Sequence, residues 1–109
     1  MTEITTHEHD VVIIGAGGAG LRAAIEASST GASVAMISKS MLGKAHTVMA
    51  EGGAAAALAN KDPRDSWEVH FRDTMKGGKY LGDWRMARIH AQQAPDRIRE
   101  VGAMGCRIR

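Results

Sequence analysis

The spacing of hydrophobic positions along this chain changes character from one segment to the next. Residues 10–14, Asp-Val-Val-Ile-Ile, hold a β-branched apolar run that stops at a glycine, the pattern of a buried strand. From about Ala19 to Ser29 the period lengthens: Leu21, Ala24, Ile25 and Ser28 recur at i, i+3, i+4 and i+7, which predicts one face of a helix. Gly31 follows, where a helix C-terminus favours a left-handed residue. A second apolar run, Ser33 to Ser38, predicts another buried strand. Strand, turn, helix and strand in this order predict a parallel βαβ unit, right-handed by the general rule.

The next stretch, residues 43–53, fits neither period: it is glycine-bounded, mostly small or apolar, and carries one imidazole, His46, beside Thr47. Beyond it the pattern turns helical. Asp62-Pro63 predicts a helix start, because proline's missing N–H costs nothing in the first turn. Trp67, Phe71 and Met75 then repeat every four residues until Gly77-Gly78. Asp83 predicts the cap of another helix running to about Gln93. Pro95 predicts a break and a further helix, with Ile98 and Val101 inward and Gly102 or Gly105 near its end.

Composition narrows the class without changing this picture. The chain has 109 residues, 44% hydrophobic and 24% charged, which suits one small globular domain. No apolar run approaches the roughly 20 residues that span a bilayer, and the first ten residues lack the basic-then-apolar pattern of a signal peptide. The single cysteine, Cys106, excludes an internal disulfide and reads as an inert small residue. Net charge is +2, with basic residues scattered among acidic ones, so nucleic acid is not an expected partner. His7, His9, His70 and His90 read as surface or structural residues, and no metal site is expected. Trp67, Phe71 and Trp84 read as core or subunit contacts.

The candidate chemistry begins between the first strand and the helix. Gly15-Ala16-Gly17-Gly18-Ala19-Gly20 matches G-x-G-x-x-G, a weak signal alone but a strong one inside a βαβ unit. Gly15 permits the tight turn, Gly17 lets a pyrophosphate approach the backbone, and Gly20 lets the helix pack close to the strand. Such sites usually carry an acidic residue about 20 positions on, binding ribose. Here the second strand ends in Ser38 and Lys39 instead, which weakens a simple NAD reading.

Three segments in order, VVIIGAGGAGLRAAIEA, ISKSMLGKAHTVMAEGGAAAAL and DSWEVHFRDTMKGGKYLGD, resemble the flavoprotein subunit of succinate dehydrogenase and fumarate reductase. The resemblance runs from about Asp10 to Gly105. Its most specific piece is HTVMAEGG, similar to the family's His-Thr-Val-x-Ala-x-Gly-Gly. The resemblance implies an α/β fold: the N-terminal βαβ of a Rossmann-like FAD-binding domain followed by helices, with residues 1–9 a tail and 10–109 the N-terminal part of that domain. It implies FAD bound by Gly15 to Gly20, Ser38, Lys39, His46, Thr47, Ala50, Gly52 and Gly53, with a covalent bond from His46 to the flavin 8α-methyl. Small residues in the segment let backbone N–H groups approach a flat ring, and Thr47 is expected to hydrogen-bond near the ring's reactive edge. The implied reaction passes hydride between succinate or fumarate and the flavin, with electrons leaving through an iron–sulfur subunit. Membrane anchor subunits would hold the complex on the inner, cytoplasmic face of the cell membrane.

Two strands cannot close an open doubly wound sheet, so the domain is expected to be incomplete in this segment and the segment alone inactive. No acid, base or dicarboxylate-binding arginine is assigned within it. The ending, MGCRIR, lacks the aromatic residue that the resemblance leads one to expect. Two alternatives stand beside this reading: a non-covalent flavoprotein of the L-aspartate oxidase type, against which His46 argues, and a non-catalytic nucleotide-binding product.

Overall fold

A computed structural model describes residues 2–107. The chain divides into two compact units, Met1–Gly53 and Ala54–Arg109. In the first, strand β1 (Val11–Ile14), helix α1 (Gly18–Ser29) and strand β2 (Val34–Ile37) follow in order, then a single 3-10 turn, His46–Met49. The strands pair in parallel with Val11 opposite Val34 and Ile14 opposite Ile37, the predicted βαβ arrangement. One side-chain and one backbone bond fasten one end of the pair: the Ser33 N–H donates to the Asp10 carboxylate at 2.8 Å, and the Val11 N–H donates to the Ser33 carbonyl at 3.1 Å. His9 Nδ1 lies 2.9 Å from the Ser33 hydroxyl. At the other end the Gly15 N–H donates to the Ile37 carbonyl at 2.8 Å.

Helix α1 closes as its sequence predicts. The Thr30 hydroxyl donates to the Ala27 carbonyl at 2.7 Å, and Gly31 takes φ +86°, the left-handed conformation that glycine adopts without Cβ strain. Its packed side differs in part from the predicted face. Leu21, Ala24 and Ala27 are half-buried, whereas Ser28 is exposed and Ile25 keeps 51% of its surface. The strands are too short and too few to cover the wider stripe, so Leu21, Ala24 and Ala27 are covered only in part. Ala16 is the one buried hydrophobic residue described in this unit, while Ile14 is 85% exposed. A two-stranded sheet leaves edges and faces uncovered, the incompleteness expected from the pattern.

The second unit is a helix pair, α2 (Trp67–Gly77) and α3 (Trp84–Ala103), packed against each other. Helix α2 starts later than Asp62-Pro63 predicts. The Asp62 carboxylate is engaged by Arg64, accepting from its backbone N–H at 2.9 Å and from its guanidinium at 2.9 and 3.0 Å. That side chain closes a local turn instead of a helix. Ser66 is the cap, its hydroxyl accepting from the Val69 N–H at 3.4 Å. Trp67, Phe71 and Met75 form the expected half-buried stripe. After Gly77-Gly78 come two non-glycine residues in left-handed conformation, Lys79 at φ 54° and Tyr80 at φ 60°. The Tyr80 N–H donates back to the Met75 carbonyl at 2.9 Å and closes the helix end.

Helix α3 is capped by Asp83, whose carboxylate accepts from the Arg85 and Met86 N–H groups at 2.8 and 3.4 Å. It runs unbroken through Pro95, where a break was expected. The reason lies in the stripe: Ala87, Ala91, Ala94, Ile98 and Gly102 recur at helical spacing and are half-buried or buried on both sides of the proline. One continuous packed face outweighs the hydrogen bond that proline removes. The rings of His70 and His90 meet edge to face at 5.7 Å between centroids, a structural role as expected. Trp84 is largely exposed, with the Arg85 guanidinium 5.4 Å above its ring, and Cys106 is exposed. Among the described residues no helix is long and apolar enough to cross a membrane, and no cluster of metal-ligating side chains occurs. Ile108 and Arg109, the end of the MGCRIR ending, lie outside the described residues.

Candidate functional site

The site is built on the C-terminal tips of β1 and β2, where parallel α/β sheets bind their ligands. Gly15 leaves β1 at φ +108°, a conformation that L side chains rarely adopt, and turns the chain toward α1. Gly20 lies in the first turn of α1, against that same glycine. A Cβ built on Gly20 would stand 2.0 Å from the Gly15 carbonyl oxygen and 3.5 Å from the Ile13 side chain. The close helix–strand approach assigned to this glycine from its position in the motif is therefore a backbone contact that no other residue permits.

Between these two glycines α1 begins, with Gly17 as its cap residue in extended conformation and no side chain of its own to offer. The cap comes from elsewhere. The Gly18 N–H donates to the Thr47 hydroxyl at 3.0 Å, across 29 residues of sequence. Gly17 and Gly18 make this possible: a Cβ on Gly18 would lie 3.3 Å from the Thr47 methyl, and one on Gly17 3.5 Å from its hydroxyl oxygen. Thr47 thus serves the start of α1, a role the sequence did not announce. Nothing in the residues 43–53 signals a cap for a helix so far away.

His46 stands beside Thr47 at the start of the 3-10 turn, exposed, with Ala45 half-buried behind it. The turn is closed locally by the Val48 N–H to the Ala45 carbonyl at 3.1 Å and the Ala50 N–H to the Thr47 carbonyl at 3.3 Å. Ser38 and Lys39 follow directly from β2 and are exposed, with the Ser38 hydroxyl accepting weakly from the Ser40 N–H at 3.4 Å. Ala50, Gly52 and Gly53 are exposed, and nothing lies within 4 Å of where a Cβ would stand on either glycine. The predicted residues therefore fall into two groups. Gly15 to Gly20 and the His46–Thr47 turn are drawn together by a hydrogen bond, and Ser38 and Lys39 share the strand tips. No contact among the described residues draws Ala50, Gly52 or Gly53 onto the helix start.

What this arrangement can hold follows from its unpaired groups. Beyond Gly18, the Ala19 and Gly20 N–H groups of the first turn have no acceptor among the described residues, and the Leu21 N–H is the first to find one, the Gly17 carbonyl at 2.9 Å. Unpaired amides at the positive end of a helix dipole suit a pyrophosphate. The open space beside Gly15 leaves room for a ligand next to these amides. The residues present fit a dinucleotide cofactor.

A parallel βαβ unit with this glycine turn at its strand tips is a dinucleotide-binding module. The family described as FAD binding domain matches residues 10–109, and the chain belongs to that family. Among individual proteins it is similar to a fumarate reductase (CoM/CoB) subunit of Methanothermobacter marburgensis, 49% identical over 104 residues, 94% of this chain and 19% of that protein. It is also similar to the succinate dehydrogenase flavoprotein subunit of Rickettsia bellii, 44% identical over 102 residues, 94% of this chain and 17% of that protein. In the Mycobacterium smegmatis Sdh1 complex in the apo form, a chain 61% identical superposes with a TM-score of 0.87, covering 94% of this chain and 17% of that one. The chain thus spans less than a fifth of the length of each of these relatives. The family resemblance read from the three sequence segments and the mixed α/β class agree with these matches.

Proposed function

We propose that residues 10–109 are the N-terminal part of the FAD-binding domain of a succinate dehydrogenase or fumarate reductase flavoprotein subunit, preceded by a short tail. The observation that carries this reading is the Gly18–Thr47 hydrogen bond at 3.0 Å, which ties the His46 turn to the glycine turn of a family that binds FAD. Relatives bearing those names, matched over 94% of the chain, support the choice of enzyme.

In this reading the amides at the start of α1 bind the pyrophosphate, Gly15 and Gly17 keep side chains out of its way, and Ala16 fills the turn beneath. Ser38 offers a hydroxyl to the ribose in place of the usual carboxylate, and Lys39 meets a phosphate. Ala50, Gly52 and Gly53 let the backbone lie against the ring. When bound, FAD supplies the two-electron chemistry that takes hydride from succinate or returns it to fumarate. His46 is the covalent anchor. Its imidazole nitrogen would hold the flavin through the 8α-methyl carbon, in place of an N–H and a C–H. The iron–sulfur subunit receives electrons in turnover, and anchor subunits hold the assembly on the inner, cytoplasmic face of the membrane.

The test uses the full-length subunit that carries this segment. Denatured in acid, it should show flavin fluorescence travelling with the polypeptide on a gel. His46→Ser should release the flavin on denaturation while the native variant still binds FAD. Wild type that surrenders all its FAD leaves His46 a loop histidine, and turnover of neither succinate nor fumarate removes the enzyme assignment.

A further inference from the structure

We infer that Thr47 is a positioning residue for the flavin tether: its hydroxyl pins the His46 turn to the start of α1 and so fixes the imidazole relative to the pyrophosphate end of the cofactor. The inference rests on the reading of His46 as the tether and adds the device that aims it. Three observations carry it. Apart from the Thr47 hydroxyl contact, the hydrogen bonds of the turn His46–Met49 among the described residues are short-range backbone ones, from Val48 to Ala45 and from Ala50 to Thr47. Among the described residues, its one hydrogen bond to a distant element is the 3.0 Å contact from the Gly18 N–H to the Thr47 hydroxyl. The fit there is close, since any Cβ on Gly18 would come within 3.3 Å of the Thr47 methyl.

The geometry makes the two ends of a long ligand share one anchor. Helix α1 presents its next amides, Ala19 and Gly20, within a residue or two of the one that Thr47 occupies. His46 is covalently adjacent to Thr47. A pyrophosphate seated on the helix start and an imidazole one residue from the pin are therefore held in a common frame, the kind of fixed approach that speeds a bond-forming step without tightening ground-state binding. Thr47 thereby acts on His46 through the backbone, by accepting from the Gly18 N–H.

The experiment compares wild type, Thr47→Val and Thr47→Ser in the full-length apoprotein loaded with FAD. Valine keeps the shape and removes the hydroxyl; serine keeps the hydroxyl and removes the methyl. A side-chain-to-backbone hydrogen bond is worth about 1 kcal/mol net, so Thr47→Val should slow covalent incorporation, read as gel fluorescence against time, by roughly 3- to 10-fold. Thr47→Ser should recover most of the wild-type rate. In a His46→Ser background the FAD dissociation constant of the valine variant separates aiming from binding: a loss of affinity as large as the slowing of incorporation would make Thr47 a binding residue only and overturn the inference. Exchange of the Gly18 amide should be faster in Thr47→Val than in wild type. Unaltered Gly18 exchange, wild-type incorporation in the valine variant, or a serine variant as slow as valine each overturns the inference alone. Absence of covalent flavin in wild type overturns the tether reading and this inference with it.

Discussion

Replacing Gly20 with alanine asks whether the contact between α1 and the strand-end turn governs cofactor binding. The added Cβ would stand 2.0 Å from the Gly15 carbonyl oxygen and 3.1 Å from its carbonyl carbon, where a separation under 3.0 Å is essentially never seen. About 1 Å must open. The obstruction is backbone at a residue already held at φ +108° and bonded to Ile37, so no rotamer relieves it. Overpacking costs about 1–3 kcal/mol, and a clash with backbone belongs at the upper end. Alanine returns about 1 kcal/mol as the better helix former, leaving a loss of about 2 kcal/mol. Were all of it felt in the holo state, FAD affinity would fall about 30-fold. The assay is FAD titration of the full-length apoprotein by flavin fluorescence, with thermal unfolding in parallel. Gly77→Ala is the control: nothing lies within 4 Å of its Cβ, so the same substitution should stabilise by up to about 1 kcal/mol and leave affinity unchanged. If Gly20→Ala binds FAD within threefold of wild type and melts at the same temperature, the close approach is not what the glycine is for.

Two further outcomes follow from the second unit. Pro95→Ala restores an N–H able to bond the Ala91 carbonyl inside an otherwise continuous helix, and should stabilise by about 1–2 kcal/mol after allowing for the packing the half-buried ring loses; a lower midpoint in denaturant would contradict this. The Asp62 carboxyl is held below its ordinary pKa, first by the Arg64 guanidinium and then by the Arg64 N–H. A depressed folded value means that the turn's contribution is present above the unfolded pKa of about 3.9 and is lost as pH falls through the folded value. An NMR titration of the Asp62 carboxyl should show a midpoint below the ordinary one in the native protein, moving up in Arg64→Ala; an ordinary midpoint in wild type would show that the 2.9 Å pairs do not persist in solution.

The βαβ unit was legible because its signals are local and concordant. The apolar run before Gly15, the helical period after Gly20 and the left-handed closure at Gly31 each need only their neighbours, and the strands and helix fall within a residue or so of expectation. Signals that compete are harder to read. Asp62-Pro63 reads as a helix start because nothing local reveals that Arg64 will occupy the carboxylate. Pro95 predicts a break because proline's cost is intrinsic, whereas the stripe from Ala87 to Gly102 that overrides it exists only once α3 packs on α2. Ile25 has the spacing of an inward residue, yet the two-stranded sheet is too narrow to reach it. At the candidate site, the glycines could be given roles from their spacing, and His46 from the resemblance. The partner of Thr47 could not, since a helix cap supplied across 29 residues leaves no mark in either segment.

The end of α2 distributes its residues against the interest of the backbone. Gly77 has open space around it and φ outside the left-handed region, where alanine would serve better, while Lys79 and Tyr80 occupy left-handed conformations that cost an ordinary residue about 1–2 kcal/mol each. Glycines placed two positions later would remove that cost. The turn as it stands carries about 2–4 kcal/mol of backbone cost beneath two side chains, the ammonium of Lys79 and the phenol of Tyr80, that a glycine pair at the same places would not carry.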